Sequence, residues 1–194
     1  MTDEQKAKWL PLCREGKILG GFARTELGHG TDAANMETTA TYDKKSDEFV
    51  IHTPTLTAHK WWPGDLGLFC THAAVFANLV IDGKKYGVYQ FMVQIRETDT
   101  FMPCKGITCG DMGPKMGYYS KNNSWMKIDN VRIPRENLFM KYNKVDREGN
   151  FSKEGDIRVL DSVMLNFRNH LIWHSGWSLA QALVIGIRYS CIRR

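Results

Sequence analysis

The sequence has little from which a cross-linked framework could be built. Its 194 residues hold five cysteines, Cys13, Cys70, Cys104, Cys109 and Cys191. The number is odd and only Cys104 and Cys109 lie close together, which argues against a disulfide scaffold and for free thiols in a reducing compartment. No Cys/His spacing matches a zinc site, and no metal is expected. A basic block is missing too. The net charge is +5, but Lys17, Lys44, Lys84 and Arg132 are scattered, so nucleic-acid binding is not expected. The longest strongly apolar stretch, near Trp177 to Ile187, is far short of the about 20 residues a membrane span needs. Met1 to Lys6 holds no apolar signal region. Internal repeats and low-complexity tracts are also lacking.

What is present is an ordinary globular balance. Apolar residues make up 43% and charged residues 24%, with six tryptophans, seven tyrosines and nine phenylalanines, more aromatics than a disordered chain carries. The length suffices for one well-cored domain and a fragment of another.

Residues 3–15 read as the end of a helix, with Asp3 as N-cap and Pro11 and Gly16 limiting its length. With one Trp and one Leu it cannot bury itself. Strand patterns then run from Ile18 to Ile133: Ile18 to Thr25, Met36 to Tyr42, Glu48 to Thr53, Thr57 to Trp62, His72 to Ile81, Tyr86 to Ile95 and Trp125 to Val131. The polar turn Asp43 to Asp47 makes a hairpin of the second and third, and Asp82-Gly83 turns the fifth into the sixth. Short strands with polar turns and no intervening helix predict a mainly β fold, an antiparallel β-barrel. Glu148 to Gly155 reads as loop. From about Asp156 the period becomes helical, with Leu160, Val163, Met164, Phe167 and Leu171 on one face. Farther on, Ile172, Trp173, Trp177, Leu179, Leu183, Val184 and Ile187 make the helix apolar all round, so it needs partners to bury it. The expected organisation is 1–16 as the end of a helical domain, 17–140 as the β-barrel, and 141–194 as a linker and the first helix of a second helical domain. Either the chain is part of something longer or it assembles with something else.

Three segments carry chemical interest. Gly28-His-Gly-Thr-Asp-Ala33 has the loose form of a dinucleotide fingerprint, but a strand and not a helix follows it, against a Rossmann site. Thr25, Glu26, Gly28, Gly30, Thr31 and Asp32 can instead form a loop whose glycines admit a ligand to the backbone and whose threonines hydrogen-bond it, or an ordinary hairpin loop. Lys60-Trp-Trp-Pro-Gly64 puts two tryptophans on opposite faces of a strand that ends in bare backbone. That is a suitable wall for an isoalloxazine ring, or simply two packing tryptophans. Gly106 to Gly117 holds four glycines in twelve residues and reads as a mobile or close-contact loop. His29 is the one histidine of interest, though a surface role is the plainer reading.

Together these segments resemble the acyl-CoA oxidase family, within the wider acyl-CoA dehydrogenase superfamily. The resemblance rests on Thr25-Glu-Leu-Gly-His-Gly-Thr-Asp32, Glu37-Thr-Thr-Ala-Thr-Tyr42, Lys60-Trp-Trp-Pro-Gly64, Gly110-Asp-Met-Gly-Pro-Lys115, Val131-Arg-Ile-Pro-Arg-Glu-Asn137 and Ile187-Arg-Tyr-Ser-Cys-Ile-Arg-Arg194. It implies a middle domain that binds FAD and fatty acyl-CoA, flanked by helical domains, in a homodimeric peroxisomal enzyme that uses O2 and releases hydrogen peroxide. The C-terminal Ile192-Arg-Arg194 is not a peroxisomal tripeptide. By resemblance, Thr25 hydrogen-bonds the flavin, and Trp62 and Gly64 lie beside its ring, glycine leaving more room for oxygen than a dehydrogenase's Ser or Thr. Thr31 lies near the acyl-CoA, Arg168 near the CoA moiety, and Arg193 reaches the cofactor pyrophosphate, often across a dimer interface. The family's catalytic base, a Glu that takes the α-proton, matches no position of this chain and is expected beyond Arg194. An acyl-CoA dehydrogenase serving a protein electron acceptor, and a non-catalytic ligand-binding barrel, are the alternatives.

Overall fold

The computed structural model describes residues 1–155 and 158–193, with the side chains of residues 158–161, 163 and 164 left aside. It divides into two units, 1–154 and 155–194, each described by itself.

The first unit opens with helix α1, Asp3–Arg14. Its N-cap is Thr2, not Asp3. The Thr2 hydroxyl accepts from Gln5 N, and the Gln5 side chain accepts from Thr2 N in return, a capping box. The Gln5 amide also donates to Glu136 O and Leu138 O, at 2.8 and 2.6 Å. Thus α1, of which Trp9 alone is buried, is stitched to the barrel by a polar side chain.

Eleven strands follow: β1 Gly20–Ala23, β2 Thr39–Asp43, β3 Glu48–His52, β4 Lys60–Gly64, β5 His72–Ile81, β6 Lys84–Gln94, β7 Ile107–Asp111, β8 Asn123–Ile128, β9 Val131–Pro134, β10 Asn143–Val145 and β11 Phe151–Lys153. A six-stranded sheet has the order β1-β5-β2-β3-β9, with β6 on β5; β4-β8-β7 form a second sheet and β10-β11 a small hairpin. The interior is apolar, with Phe49, Ile51, Leu79, Phe91, Met126 and Leu138 fully buried.

Several expectations need correction. The barrel is neither closed nor wholly antiparallel: β1 and β2 both pair with β5 in parallel. They do so in tandem, β1 against His72 to Val75 and β2 against Asn78 to Val80. Parallel pairing is possible because the segment between them loops away from the sheet and returns in the same direction. The Trp125 to Val131 strand is two strands, β8 and β9, in different sheets, separated at Asn130, whose φ of 51° reverses the chain. Gly106 to Gly117 is not all loop, since β7 pairs with β8. The Glu148 to Gly155 loop includes β11. The strand from Thr57 begins only at Lys60, and that from Ile18 only at Gly20.

The second unit is helix α2, Arg158–Ile192, of 35 residues, about 52 Å long at 1.5 Å per residue. The expected start near Asp156 falls on residues 156 and 157, outside the described residues, as do the side chains of Leu160, Val163 and Met164 and the whole of Arg194. Phe167, Leu171, Trp173, Trp177, Leu183 and Ile187 are all exposed, agreeing with an apolar surface all round. Among the described residues no helix is long and apolar enough to cross a membrane.

Candidate functional site

The segment between β1 and β2 carries the first group of predicted residues. Immediately after β1, the chain passes along β4: Trp61 N donates to Thr25 O at 2.9 Å and Leu27 N to His59 O at 2.9 Å. Thr25 is therefore beside the start of β4. It is half-buried, and its hydroxyl makes no hydrogen bond among the described residues. Thr31 lies farther out, exposed, before a short 3-10 turn over Ala33–Asn35.

Strand β4 pairs with β8 along one edge, and on the other it is bridged at Lys60 alone, to Glu26. Its ladder runs through Lys60 and Trp61, breaks, and resumes at Gly64. Within the break Trp62 takes a φ of 81°, costly for a bulky residue, and is 54% exposed while Pro63 is buried. Asn123 Nδ2 fastens the Trp62 carbonyl at 2.9 Å. The expectation that the two tryptophans face opposite ways by simple alternation misses this bulge, which turns Trp62 outward. Beyond Trp61 no described strand lies along the outer edge of β4, so the chain from Trp62 onward leaves the contact with Thr25 unpaired on that edge.

Gly64 is not unattended. A Cβ there would come within 2.7 Å of Lys121 Cε. Lys121 reaches across Gly64 to pair with Asp65, a residue held at φ 62°. Behind this pair opens a cleft of about 440 Å³ lined by Leu68, Phe69, Asp111, Lys115 and Tyr119 as well as Asp65 and Lys121. Among the described residues no cluster of His, Cys, Asp or Glu could hold a metal.

Below the surface lies a feature the sequence reading missed. Glu26 and Lys60 form an ion pair at 3.0 Å with both side chains wholly buried. Desolvation pulls the Lys60 pKa down to about 8, against the attraction of Glu26. Above it, Glu37 accepts from Thr57 at 3.0 Å and contacts His29 Nε2 at 3.2 Å, so His29 is tied into the loop rather than free at the surface. The Thr55 hydroxyl also bonds Glu37, and these hydrogen bonds, Thr55 foremost, hold its carboxyl below the ordinary value. A Lys inside an otherwise apolar-aromatic strand was the only sequence signal of the buried pair.

Arg168 and Arg193 lie in the other unit. Both are exposed on or just past α2, 25 positions apart, about 37 Å along a helix axis. The Arg193 guanidinium stacks over Tyr189 at 5.7 Å. They do not converge on one small group.

A family profile described as "Acyl-CoA dehydrogenase, middle domain" matches residues 21–131. The chain belongs to that family. Within it, the similar proteins are acyl-CoA oxidases, oxidoreductases whose central part this chain resembles. It is 48% identical over 192 residues to the probable acyl-coenzyme A oxidase acox-1.5 of Caenorhabditis elegans, covering 99% of this chain and 29% of the relative. Against peroxisomal acyl-coenzyme A oxidase 1 of Rattus norvegicus the identity is 46% over 193 residues, covering 100% and 29%. The crystal structure of acyl-CoA oxidase-2 from Caenorhabditis elegans, bound with FAD, ascaroside-CoA and ATP, superposes with a TM-score of 0.92 at 47% identity, covering 100% of this chain and 29% of that one. The chain thus spans less than a third of the relatives it matches.

Proposed function

We propose that this chain is the FAD- and acyl-CoA-binding central part of an acyl-CoA oxidase that converts fatty acyl-CoA and O2 to trans-2-enoyl-CoA and hydrogen peroxide in the peroxisome. What supports the reading is the junction of Thr25 with the open edge of β4. There a hydroxyl without a hydrogen bond among the described residues lies beside the start of β4, whose end carries an outward tryptophan and the side-chain-free Gly64 under the movable Lys121. A planar, hydrogen-bonding ring needs these three things, so the residues present fit a flavin.

The chemistry that FAD would supply when bound is acceptance of a hydride from the substrate β-carbon and reoxidation by O2. The residues of this chain bind and orient. The Thr25 hydroxyl would hydrogen-bond the ring, Trp62 and Gly64 would wall it, and Thr31 would lie near the acyl-CoA. Arg168 serves the CoA moiety and Arg193 the cofactor pyrophosphate, in a homodimer. The α-proton goes to a glutamate outside these residues. Relatives with FAD and a CoA thioester bound, and others named peroxisomal, support the cofactor, substrate class and compartment.

The test is a peroxide assay with fatty acyl-CoA and FAD, run on the 194-residue chain and on the protein at its natural length. The chain alone yields no peroxide; the natural-length protein yields it in step with enoyl-CoA. Transfer of electrons to an artificial acceptor without peroxide would make the protein a dehydrogenase. Failure to bind either FAD or CoA thioesters would leave a non-catalytic barrel.

A further inference from the structure

The tandem pairing of β1 and β2 leaves an interruption in the flank of β5. Strand β1 ends opposite Val75 and β2 begins opposite Asn78. In the interval, Lys60 Nζ donates to Phe76 O at 2.7 Å. The ammonium of β4 thus takes the place of a missing strand partner. It also donates to Arg24 O at 3.3 Å and Glu26 Oε1 at 3.0 Å, so three oxygens face its three N–H bonds, with Met36 Sδ at 3.9 Å beside them.

Glu26 closes the loop that leaves this interruption. Its carboxylate accepts from Glu37 N at 2.7 Å, Thr38 N at 3.0 Å and the Thr38 hydroxyl at 2.5 Å. The first residue of the 26–38 segment is therefore bonded to its last two, and Lys60 fastens this neck to β5 and β4 together. Thr25 stands directly before the neck and Thr31 inside the loop. Apolar side chains in this space would leave the Glu37 and Thr38 amides and the Phe76 and Arg24 carbonyls unbonded, so the backbone groups that the pair satisfies tie it to this one arrangement.

We propose that Glu26 and Lys60 are positioning residues. By closing the neck of the glycine loop and pinning it across the interruption in β5, they set where Thr25 meets the flavin and Thr31 the acyl-CoA. This rests on the functional reading above. Neither residue touches a ligand; they act through the loop.

The test uses the natural-length protein and the double variant Glu26→Gln/Lys60→Met, which removes both charges together and leaves neither orphaned. FAD affinity, the visible spectrum of the bound flavin, kcat and KM, and hydrogen exchange at the Glu37 and Thr38 amides are measured beside thermal stability. The expected result is a folded protein with faster exchange at both amides, an altered flavin spectrum and kcat/KM lower by about 100-fold, the order of loss a misplacement of about 1 Å produces. A folded double variant with wild-type spectrum, affinity and kinetics overturns the proposal. If the double variant does not fold, Thr38→Val decides. It removes one donor to Glu26 without touching a charge, and an unchanged spectrum and affinity there overturn the proposal equally. Wild-type protein that binds no FAD would refute the functional reading and the ligand half of this one. Unchanged exchange at Glu37 and Thr38 would separately refute the hold on the loop.

Discussion

Replacing Gly64 by alanine separates ligand binding from stability better than any other change at the site. The backbone at Gly64 is outside the left-handed region, so alanine adds no conformational strain there. The new methyl meets only the far end of Lys121, whose Cε and Nζ would be 2.7 and 3.2 Å away. That side chain can swing aside at the expense of its pairing with Asp65. Both partners are substantially exposed, at 46% and 39%, and an exposed pair contributes at most about 1 kcal/mol. For a chain of this size the melting temperature should fall by no more than about 4 °C. Gly67→Ala makes the contrast. A Cβ there would lie 2.9 Å from the Gly110 main chain and 2.8 Å from Ser124 Oγ, which have no comparable freedom to move, and a loss of about 1–3 kcal/mol is expected.

The effect on the flavin should be the reverse. If the ring rests on bare main chain at Gly64, one methyl lifts it from that surface and from the Thr25 hydroxyl. FAD affinity should weaken by about tenfold or more, equivalent to about 1.4 kcal/mol. Titration with FAD, followed by flavin fluorescence, measures this. Lys121→Met is the control, because it removes the ion pair without adding the methyl. Wild-type affinity and spectrum in a folded Gly64→Ala protein would refute the placement of the ring.

Further predictions concern the supporting structure. Gln5→Ala removes a side chain that bonds Thr2, Glu136, Leu138 and Met140, and should cost about 2–3 kcal/mol in denaturant unfolding, against about 1 kcal/mol for Thr2→Ala. Phe91→Ala empties a wholly buried position packed edge-on against Phe49 at 5.1 Å and should cost about 3–5 kcal/mol. The Lys60 pKa of about 8, below the ordinary 10.5, means that between these values the folded chain has released a proton the unfolded chain keeps. Lys60 therefore adds stability as pH rises through that window and withdraws it as pH falls back through about 8. The difference in unfolding free energy between wild type and Lys60→Met, measured from pH 7 to 11, should follow this sense; a flat difference would show that Lys60 does not titrate there.

What the sequence disclosed was local. The apolar run His72 to Ile81 gives β5 to the residue because a strand flanked on both edges and buried on both faces has no need to alternate. The turn Asp43 to Asp47 gives the β2–β3 hairpin because its pairing is between neighbours. Parallel pairing of β1 and β2 with β5 leaves no comparable trace, since partners 39 to 52 positions apart share no turn. Strand β7 was hidden by its glycines. A Cβ on Gly110 would be 3.0 Å from the Trp125 indole, and one on Gly106, at the mouth of the strand, 2.6 Å from Asp129 O. These glycines mark close packing, yet in sequence they look like a flexible loop. The same ambiguity governs the site. Glycine at 64 reads as bare backbone at a strand end, and the charges at 26 and 60 give no sign of their pairing until the fold brings β4 against the β1–β2 loop. Once it does, the glycine becomes a place where something flat can approach. The two charges become the fastening that keeps the loop opposite it, 34 positions apart in the chain and in contact only because β1 and β2 stop short of one another on β5.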